Sequence, residues 1–161
     1  MPVAPITNRL AYLGRRLEGA LDGDPSPLAI ETLVGELAAD LAGGPLPGAK
    51  LFGGRQLNWY AERVDAARRL LHERFAETHT LRSLSREVGM SPFHFARIFR
   101  ELAGVPPHRY LLGIRLAEAA GMLRDGAGVT RTCLATGFNN LGHFIRLFRR
   151  TYGVPPSRYQ V

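Results

Sequence analysis

Cysteines, long apolar runs and C-terminal acidic residues are scarce in this chain of 161 residues. The single cysteine, Cys133, excludes an internal disulfide and a zinc site built from several cysteines. No apolar run approaches the ~18 residues that a membrane-spanning helix needs. The first ten residues lack a charged segment followed by an apolar one, so they do not resemble a secretory signal. We therefore expect a soluble cytoplasmic protein without disulfide bonds.

Acidic residues are unevenly distributed along the chain. Residues 1–58 hold five basic and six acidic side chains, whereas residues 59–161 hold 16 arginines and eight acidic side chains. From residue 126 onward the chain has five arginines and no aspartate or glutamate. The net charge of +7 therefore belongs to the C-terminal part. A basic region beside a nearly neutral one is typical of a domain that binds a polyanion such as DNA.

Residues that could carry catalysis or bind a metal are not grouped. The five histidines (His72, His79, His94, His108 and His143) form no metal-ligand motif. No nucleophile with an adjacent base can be assembled, so we predict neither an enzyme nor a cofactor. The sequence favours packing at helix starts for His94 and His143, and a buried core position for Cys133, with redox sensing as the alternative.

A segment of 17 residues occurs twice in the chain. Residues 94–110 read HFARIFRELAGVPPHRY and residues 143–159 read HFIRLFRRTYGVPPSRY. The two copies agree at 11 positions, at a constant offset of 49 residues. An internal repeat implies two copies of one structural unit and of one task.

Each copy predicts a short helix with a buried stripe and an outward face. Apolar residues recur at helical spacing in both copies: Phe95, Ile98, Phe99 and Leu102 in the first, and Phe144, Leu147, Phe148 and Tyr152 in the second. The positions predicted to face outward are Phe93, Ala96, Arg97 and Arg100, and then Leu141, Gly142, Ile145, Arg146 and Arg149.

A small residue and a glycine precede each copy. Ser85 lies four residues before Gly89, and Cys133 lies four residues before Gly137. A small side chain lets two helices approach closely, and the glycine can adopt the left-handed conformation that ends the first helix. This pattern predicts two helix-turn-helix units. Ser91, which is followed by proline, and Asn140 are the predicted N-caps of the two second helices.

These two units, each followed by Gly-Val-Pro-Pro-x-Arg-Tyr, resemble the DNA-binding domain of AraC/XylS-type transcription regulators. The resemblance covers about residues 60–161. It rests on Gly137-Phe138, the two Phe-x-Arg-x-Phe-Arg cores at 95–100 and 144–149, Tyr110, Arg115-Leu116, Ala119-Ala120 and the closing Pro155-Pro156-Ser157-Arg158-Tyr159. Thr132 and Cys133 depart from a usual Ile-Ala pair, and Gly142 departs from a common Ser.

The N-terminal part predicts a helical hairpin over residues 1–44. Thr7 would cap a helix over residues 8–22 with leucines at positions 10, 13, 17 and 21. Ser26 and Pro27 would begin a second helix whose stripe is Ile30, Leu33, Val34, Leu37 and Leu41. The hairpin must pack on the rest of the chain or on a partner, and it resembles the connector of longer family members. Self-association through residues 8–41 is a candidate interaction.

A linker over residues 45–57 and a DNA-binding domain over residues 58–161 complete the predicted organisation. The segment 42–56 is rich in glycine and proline. One supporting helix should run from Asn58 to about Thr78. Another should run from Pro107 to about Asp125 and set the distance between the two units.

The outward residues have alternative interpretations. Arg97 and Arg146 could bind guanine bidentately, or they could be solvated or contact phosphate. The resemblance implies a DNA contact, because members of the family use this position to touch DNA. Arg100 and Arg149 favour phosphate contacts over ion pairs with neighbouring acids. Phe93, Ala96, Leu141 and Ile145 could meet thymine methyl groups or be stray surface residues. The remaining predicted DNA-binding residues are Ser91, Asn140 and Gly142.

The sequence thus predicts an all-α protein, a hairpin followed by a seven-helix double helix-turn-helix domain. Its expected function is sequence-specific binding of double-stranded DNA in transcription control, in the cytoplasm at the nucleoid, with no membrane partner. RNA polymerase is a further candidate partner. The alternative is a protein-interaction module whose DNA binding has weakened.

Overall fold

The computed structural model describes residues 7–23, 27–43 and 51–159, and all regular structure in these ranges is helical. This confirms the all-α class. The elements are α1 (Asn8–Leu21), α2 (Pro27–Gly43), α3 (Gly54–Glu73), α4 (Leu81–Glu87), α5 (Pro92–Ala103), α6 (Pro107–Arg124), α7 (Val129–Ala135), α8 (Leu141–Tyr152) and a closing 3₁₀ helix (Pro156–Arg158). Within these ranges six α-helices and the 3₁₀ helix follow the hairpin, which together make the predicted seven. None of the helices in these ranges could cross a membrane.

Helices α1 and α2 form the predicted hairpin. Thr7 caps α1, since its side chain accepts a hydrogen bond from the backbone N–H of Leu10 at 2.9 Å. The helices run antiparallel, because Arg9 at the start of α1 pairs with Asp40 near the end of α2 at 3.1 Å. Helix α2 begins at Pro27 as predicted, and its predicted cap, Ser26, lies outside the described residues.

The leucine stripes of the hairpin are only partly buried. Leu13 and Leu33 are buried in the core, and Tyr12, which lies outside the predicted stripe, is buried as well. In contrast, large apolar side chains at the hairpin surface are exposed: Leu21, Val34 and Leu41. The described part of the chain leaves these three side chains uncovered, because α1 and α2 pack along a narrower strip than the leucine spacing indicates.

Helix α3 differs from its prediction at both ends. It begins at Gly54, four residues before Asn58, because Gly53 adopts the extended conformation of an N-cap residue. It ends at Glu73, before the predicted Thr78, and the chain turns there, with the His79 ring nitrogen 2.7 Å from the Arg74 carbonyl oxygen. Helix α6 matches its prediction, with Asp125 as its C-cap.

The buried apolar residues form two separate clusters. The first joins the hairpin, α3, α4, α5 and the first half of α6 through Leu111 and Ile114. The second joins α7, α8 and the second half of α6 through Leu116 and Leu123. Helix α6 is therefore shared by two cores, and each core supports one helix-turn-helix unit.

Arg115 lies at the junction of the two cores. Its Nε–H donates to the Phe75 carbonyl oxygen at 2.7 Å, and its Nη2 donates to the Glu77 carbonyl oxygen at 2.8 Å. Its guanidinium carbon also lies 5.9 Å from the ring centre of Phe138 in the second unit. This side chain thus ties the loop after α3 to the helix that positions the second unit.

Candidate nucleic-acid interface

A glycine in the left-handed backbone conformation separates the two helices of each unit. Gly89 follows α4 with φ of 65°, and Gly137 follows α7 with φ of 80°. The backbone hydrogen bonds match as well, since Met90 N–H reaches the Ser85 carbonyl at 2.9 Å and Phe138 N–H reaches the Cys133 carbonyl at 3.0 Å. The two predicted helix-turn-helix units are confirmed in their geometry.

The second helices, α5 and α8, begin in different ways. Asn140 caps α8 as predicted, because its Oδ1 accepts from the His143 N–H at 2.7 Å. Ser91 occupies the N-cap position of α5, but its side chain makes no capping hydrogen bond, so that detail of the prediction is wrong. Pro92 at the first helical position fixes the start of α5 instead. The exposed Ser91 hydroxyl thus remains unused by the helix.

The predicted stripes are buried in both helices. Phe95, Ile98, Phe99 and Leu102 of α5 and Phe144 and Phe148 of α8 are fully inaccessible, while Leu147 and Tyr152 are half-buried. All predicted outward side chains are accessible. Those classed as exposed are Ser91, Phe93, Arg97, Arg100, Asn140, Leu141, Gly142, Arg146 and Arg149, and those half-buried are Ala96 and Ile145.

Phe93 is the most unusual of these side chains. It is 83% exposed, at the first turn of α5. Leu141, one residue before the position that matches Phe93 in the repeat, is 39% exposed at the start of α8. An aromatic ring this exposed adds little to the stability of the fold, so it is available to contact a partner.

Arg97 is engaged in an ion pair. Its Nη1 lies 3.4 Å from Glu101 Oε2, one turn further along α5, and its side chain is half exposed. An ion pair, the less favoured alternative for Arg100, is thus present at Arg97. The i, i+4 spacing of Arg97 and Glu101 is a signal in the sequence that indicates this pair.

Arg146, the counterpart of Arg97, has a different environment. Its Nη1 lies 3.7 Å from the point that a Cβ atom on Gly142 would occupy, so the side chain extends back toward the start of α8. The position that corresponds to Glu101 is Arg150. Among the described residues no acidic side chain pairs with Arg146, Arg149 or Arg150. The charged side chains of α8 are thus all cationic.

The two matched histidines have different surroundings. His94 is half-buried, with Nε2 3.1 Å from the Tyr60 hydroxyl, so its predicted packing role is confirmed. His143 is exposed, and its ring centre lies 6.4 Å from that of Phe138. The packing of His143 is therefore an edge-on ring contact at the surface. No cluster of metal-ligating side chains occurs in the three described segments.

Cys133 is a core residue, as predicted. It is 2% exposed, and its Sγ lies 3.6 Å from the Phe138 carbonyl oxygen. Burial raises the pKa of the thiol. A raised pKa lowers the fraction of reactive thiolate at neutral pH.

Comparisons with known proteins agree with this geometry. A family described as a helix-turn-helix domain matches residues 84–161. A solved structure of a probable AraC family transcriptional regulator from Rhodopseudomonas palustris is 28% identical, with a TM-score of 0.56, and covers 62% of this chain and 99% of its own. The DNA-binding domain of AdpA, solved in complex with a target DNA, is 30% identical, with a TM-score of 0.53, over 62% of this chain and 87% of its own.

A curated relative also matches the chain. It is an uncharacterized helix-turn-helix type transcriptional regulator, YbfI, from Bacillus subtilis, 34% identical over 70 residues. The match covers 44% of this chain and 26% of the relative. The chain therefore corresponds to about a quarter of that protein's length.

Proposed function

Residues 84–161 belong to the helix-turn-helix family of AraC-type transcription regulators, and we propose that the chain binds specific DNA sequences to control transcription. Helices α5 and α8 would enter two successive segments of the major groove. The observation that carries this proposal is the repeated division of these two helices. Each buries the two phenylalanines of its stripe completely and presents arginines to solvent at the same repeat positions.

The outward residues would divide between base and phosphate contacts. Arg97 and Arg146 lie in the middle of their helices, where base edges would be, and Arg can bind the O6 and N7 of guanine together. Arg100 and Arg149 lie nearly one turn further on and would hold phosphates. Apolar contacts to thymine methyl groups would come from Phe93, Ala96, Leu141 and Ile145, and contacts near the helix starts from Ser91, Asn140 and Gly142.

We propose that the N-terminal hairpin is a connector rather than a sensor. This role is consistent with the predicted division into residues 1–44, 45–57 and 58–161, except that α3 already begins at Gly54 within the predicted linker. The hairpin exposes Leu21, Val34 and Leu41, which favours self-association through these side chains. Sedimentation of the chain and of a Val34→Ser, Leu41→Ser variant tests this. A monomeric parent chain at micromolar concentration contradicts it.

Selection of bound sequences from a random DNA pool tests the proposed function. We expect a motif of two different half-sites with centres ~10 bp apart on one face of the duplex. The half-sites should differ because Ala96 corresponds to Ile145, and Phe93 to Gly142. Enrichment of a single half-site contradicts the use of both helices. No enrichment at all contradicts sequence-specific binding and favours the protein-interaction alternative.

A further inference from the structure

The hairpin directly contacts α5, the second helix of the first helix-turn-helix unit. Asn8, at the start of α1, is 3% exposed, and its Nδ2–H donates to Glu101 Oε1 at 2.6 Å. Its Oδ1 accepts from the Phe52 N–H at 2.7 Å. Both ends of this buried amide are therefore fixed, one by the chain that leads into α3 and one by α5.

A second contact lies at the end of α5. Gly104, the C-cap of α5, has φ of 79°, and a Cβ atom at this position would overlap the Arg9 guanidinium. The guanidinium thus lies directly against the backbone where α5 ends. In the second unit the matching residue, Gly153, has φ of 78° and nothing within 4 Å of the same point. The hairpin covers the end of α5 and leaves the end of α8 open.

Glu101 connects the hairpin to Arg97. Its two carboxylate oxygens bind different partners, since Oε1 accepts from Asn8 and Oε2 pairs with Arg97. On its other side Arg97 Nη2 lies 3.5 Å from His94 Nδ1. The side chain that would read a base in the first half-site is therefore held by a carboxylate whose own position is fixed from α1.

The second unit keeps the histidine and the arginine of this arrangement, as His143 and Arg146, but lacks its carboxylate. Arg150 replaces Glu101, and Arg146 extends toward Gly142. The difference between the two copies points to a role for Glu101 that the shared fold does not require.

We propose that Glu101 is a positioning residue that places Arg97 under the control of the N-terminal hairpin. This inference rests on the proposed function. When α1 is seated on α5, Asn8 orients Glu101, and Glu101 holds Arg97 toward the end of the helix and offsets its charge. Displacement of α1 frees Arg97 for DNA. The first unit thus responds to the position of the hairpin, whereas the second does not.

Binding measurements with four variants test the proposal. Glu101→Gln removes the charge that holds Arg97 and keeps an oxygen for Asn8, so we expect affinity for the selected site to rise about two- to fivefold, the range of exposed ion pairs. Asn8→Ala should raise it by less. Both gains should vanish in an Arg97→Ala background. Glu87→Gln, at an exposed acid that ends α4, controls for the loss of a negative charge alone.

The outcomes separate the inference from the proposed function. If the unmodified chain selects no DNA motif, the proposed function fails. If it does select one, equal gains with and without Arg97 contradict the inference, as does a gain from Glu87→Gln that matches that from Glu101→Gln. Circular dichroism shows whether Asn8→Ala folds. If it does not, Glu101→Asp, which shortens the reach to Asn8 and keeps the charge, replaces it and should likewise raise affinity by less than Glu101→Gln.

Discussion

Arg115 donates two hydrogen bonds from one guanidinium to the loop after α3, and the closer of the two joins its Nε to the Phe75 carbonyl oxygen at 2.7 Å. The backbone of this loop also touches the second unit, because a Cβ atom on Gly137 would lie 2.6 Å from the Ala76 carbonyl oxygen. Arg115 and Gly137 therefore hold the same loop from two sides. The relative position of the two units depends on this junction.

Replacement of Arg115 should disturb the distance between half-sites. Arg115→Ala leaves two backbone carbonyls without their charged donor, and we expect a loss of about 2 kcal/mol in the free energy of unfolding. Sequences selected from a random pool should keep both half-sites but tolerate more than one spacing. Arg115→Lys, with a single donor group, should have an intermediate effect. A spacing as strict as that of the unmodified chain contradicts the role of this junction.

Gly137 and Gly153 form a matched pair for a backbone test. Both have φ near 80°, where an L side chain costs roughly 1–2 kcal/mol. Only Gly137 faces backbone atoms within 3.0 Å of an added Cβ, whereas Gly153 faces open space. In chemical denaturation, Gly137→Ala should therefore destabilise the chain by clearly more than Gly153→Ala. Equal losses would show that the loop at Ala76 can move away at little cost.

Mutations in α8 can distinguish contacts with bases from contacts with phosphates. Arg149→Ala should weaken specific and random DNA about equally and reduce the slope of log affinity against log salt by ~0.9. Arg146→Ala should cost ~1–3 kcal/mol on the selected site, relax the preference at one base pair and affect random DNA less. If both variants lower specific and random binding in the same ratio, neither residue reads a base, and DNA shape or the first unit supplies specificity.

Thr132 offers a route to a more stable chain. It is fully buried, and its hydroxyl has no hydrogen-bond partner among the described residues. A buried hydroxyl without a partner costs about 1–3 kcal/mol, and valine has nearly the same shape. Thr132→Val should thus raise the free energy of unfolding by about 1 kcal/mol and leave DNA affinity unchanged. A loss of stability would show that the hydroxyl is hydrogen-bonded in solution.

Cys133 should be inert toward oxidants while the chain is folded. Its burial and raised pKa both suppress thiolate formation at neutral pH. We expect reaction with a disulfide reagent to be slow in buffer and fast in denaturant, and DNA affinity to be the same under reducing and oxidising conditions. The Cys133→Ala variant is the control. Oxidant-sensitive binding that this replacement removes would favour a redox role.

The periodic features of the sequence were sufficient to predict the two helix-turn-helix units. The stripes that include Phe95 and Phe144 are buried, and Gly89 and Gly137 adopt the left-handed conformation that the spacing predicts. These features depend on residues close together in the chain, so local rules determine them. The pair of Arg97 with Glu101 also follows a local rule, and its i, i+4 spacing could have identified it.

The long-range features could not be predicted in this way. Asn8 and Glu101 are 93 residues apart, and Arg115 and Phe75 are 40 apart, so no periodicity links them. The burial of Tyr12 has the same origin, because its hydroxyl donates to Asp65 of α3. Which face of α1 is inward depends on what it meets. The leucine spacing concerns one helix alone, so it could not show that Leu21 is exposed.

The division of the apolar core along α6 has a consequence for how the chain comes apart. Leu111 and Ile114 are held by one core and Leu116 and Leu123 by the other, so we expect each half of α6 to unfold together with its own core. The unit around α8 has fewer buried apolar residues and receives no cover from the hairpin. Its amide protons should therefore exchange with solvent first, and the second unit would melt while the first remains folded.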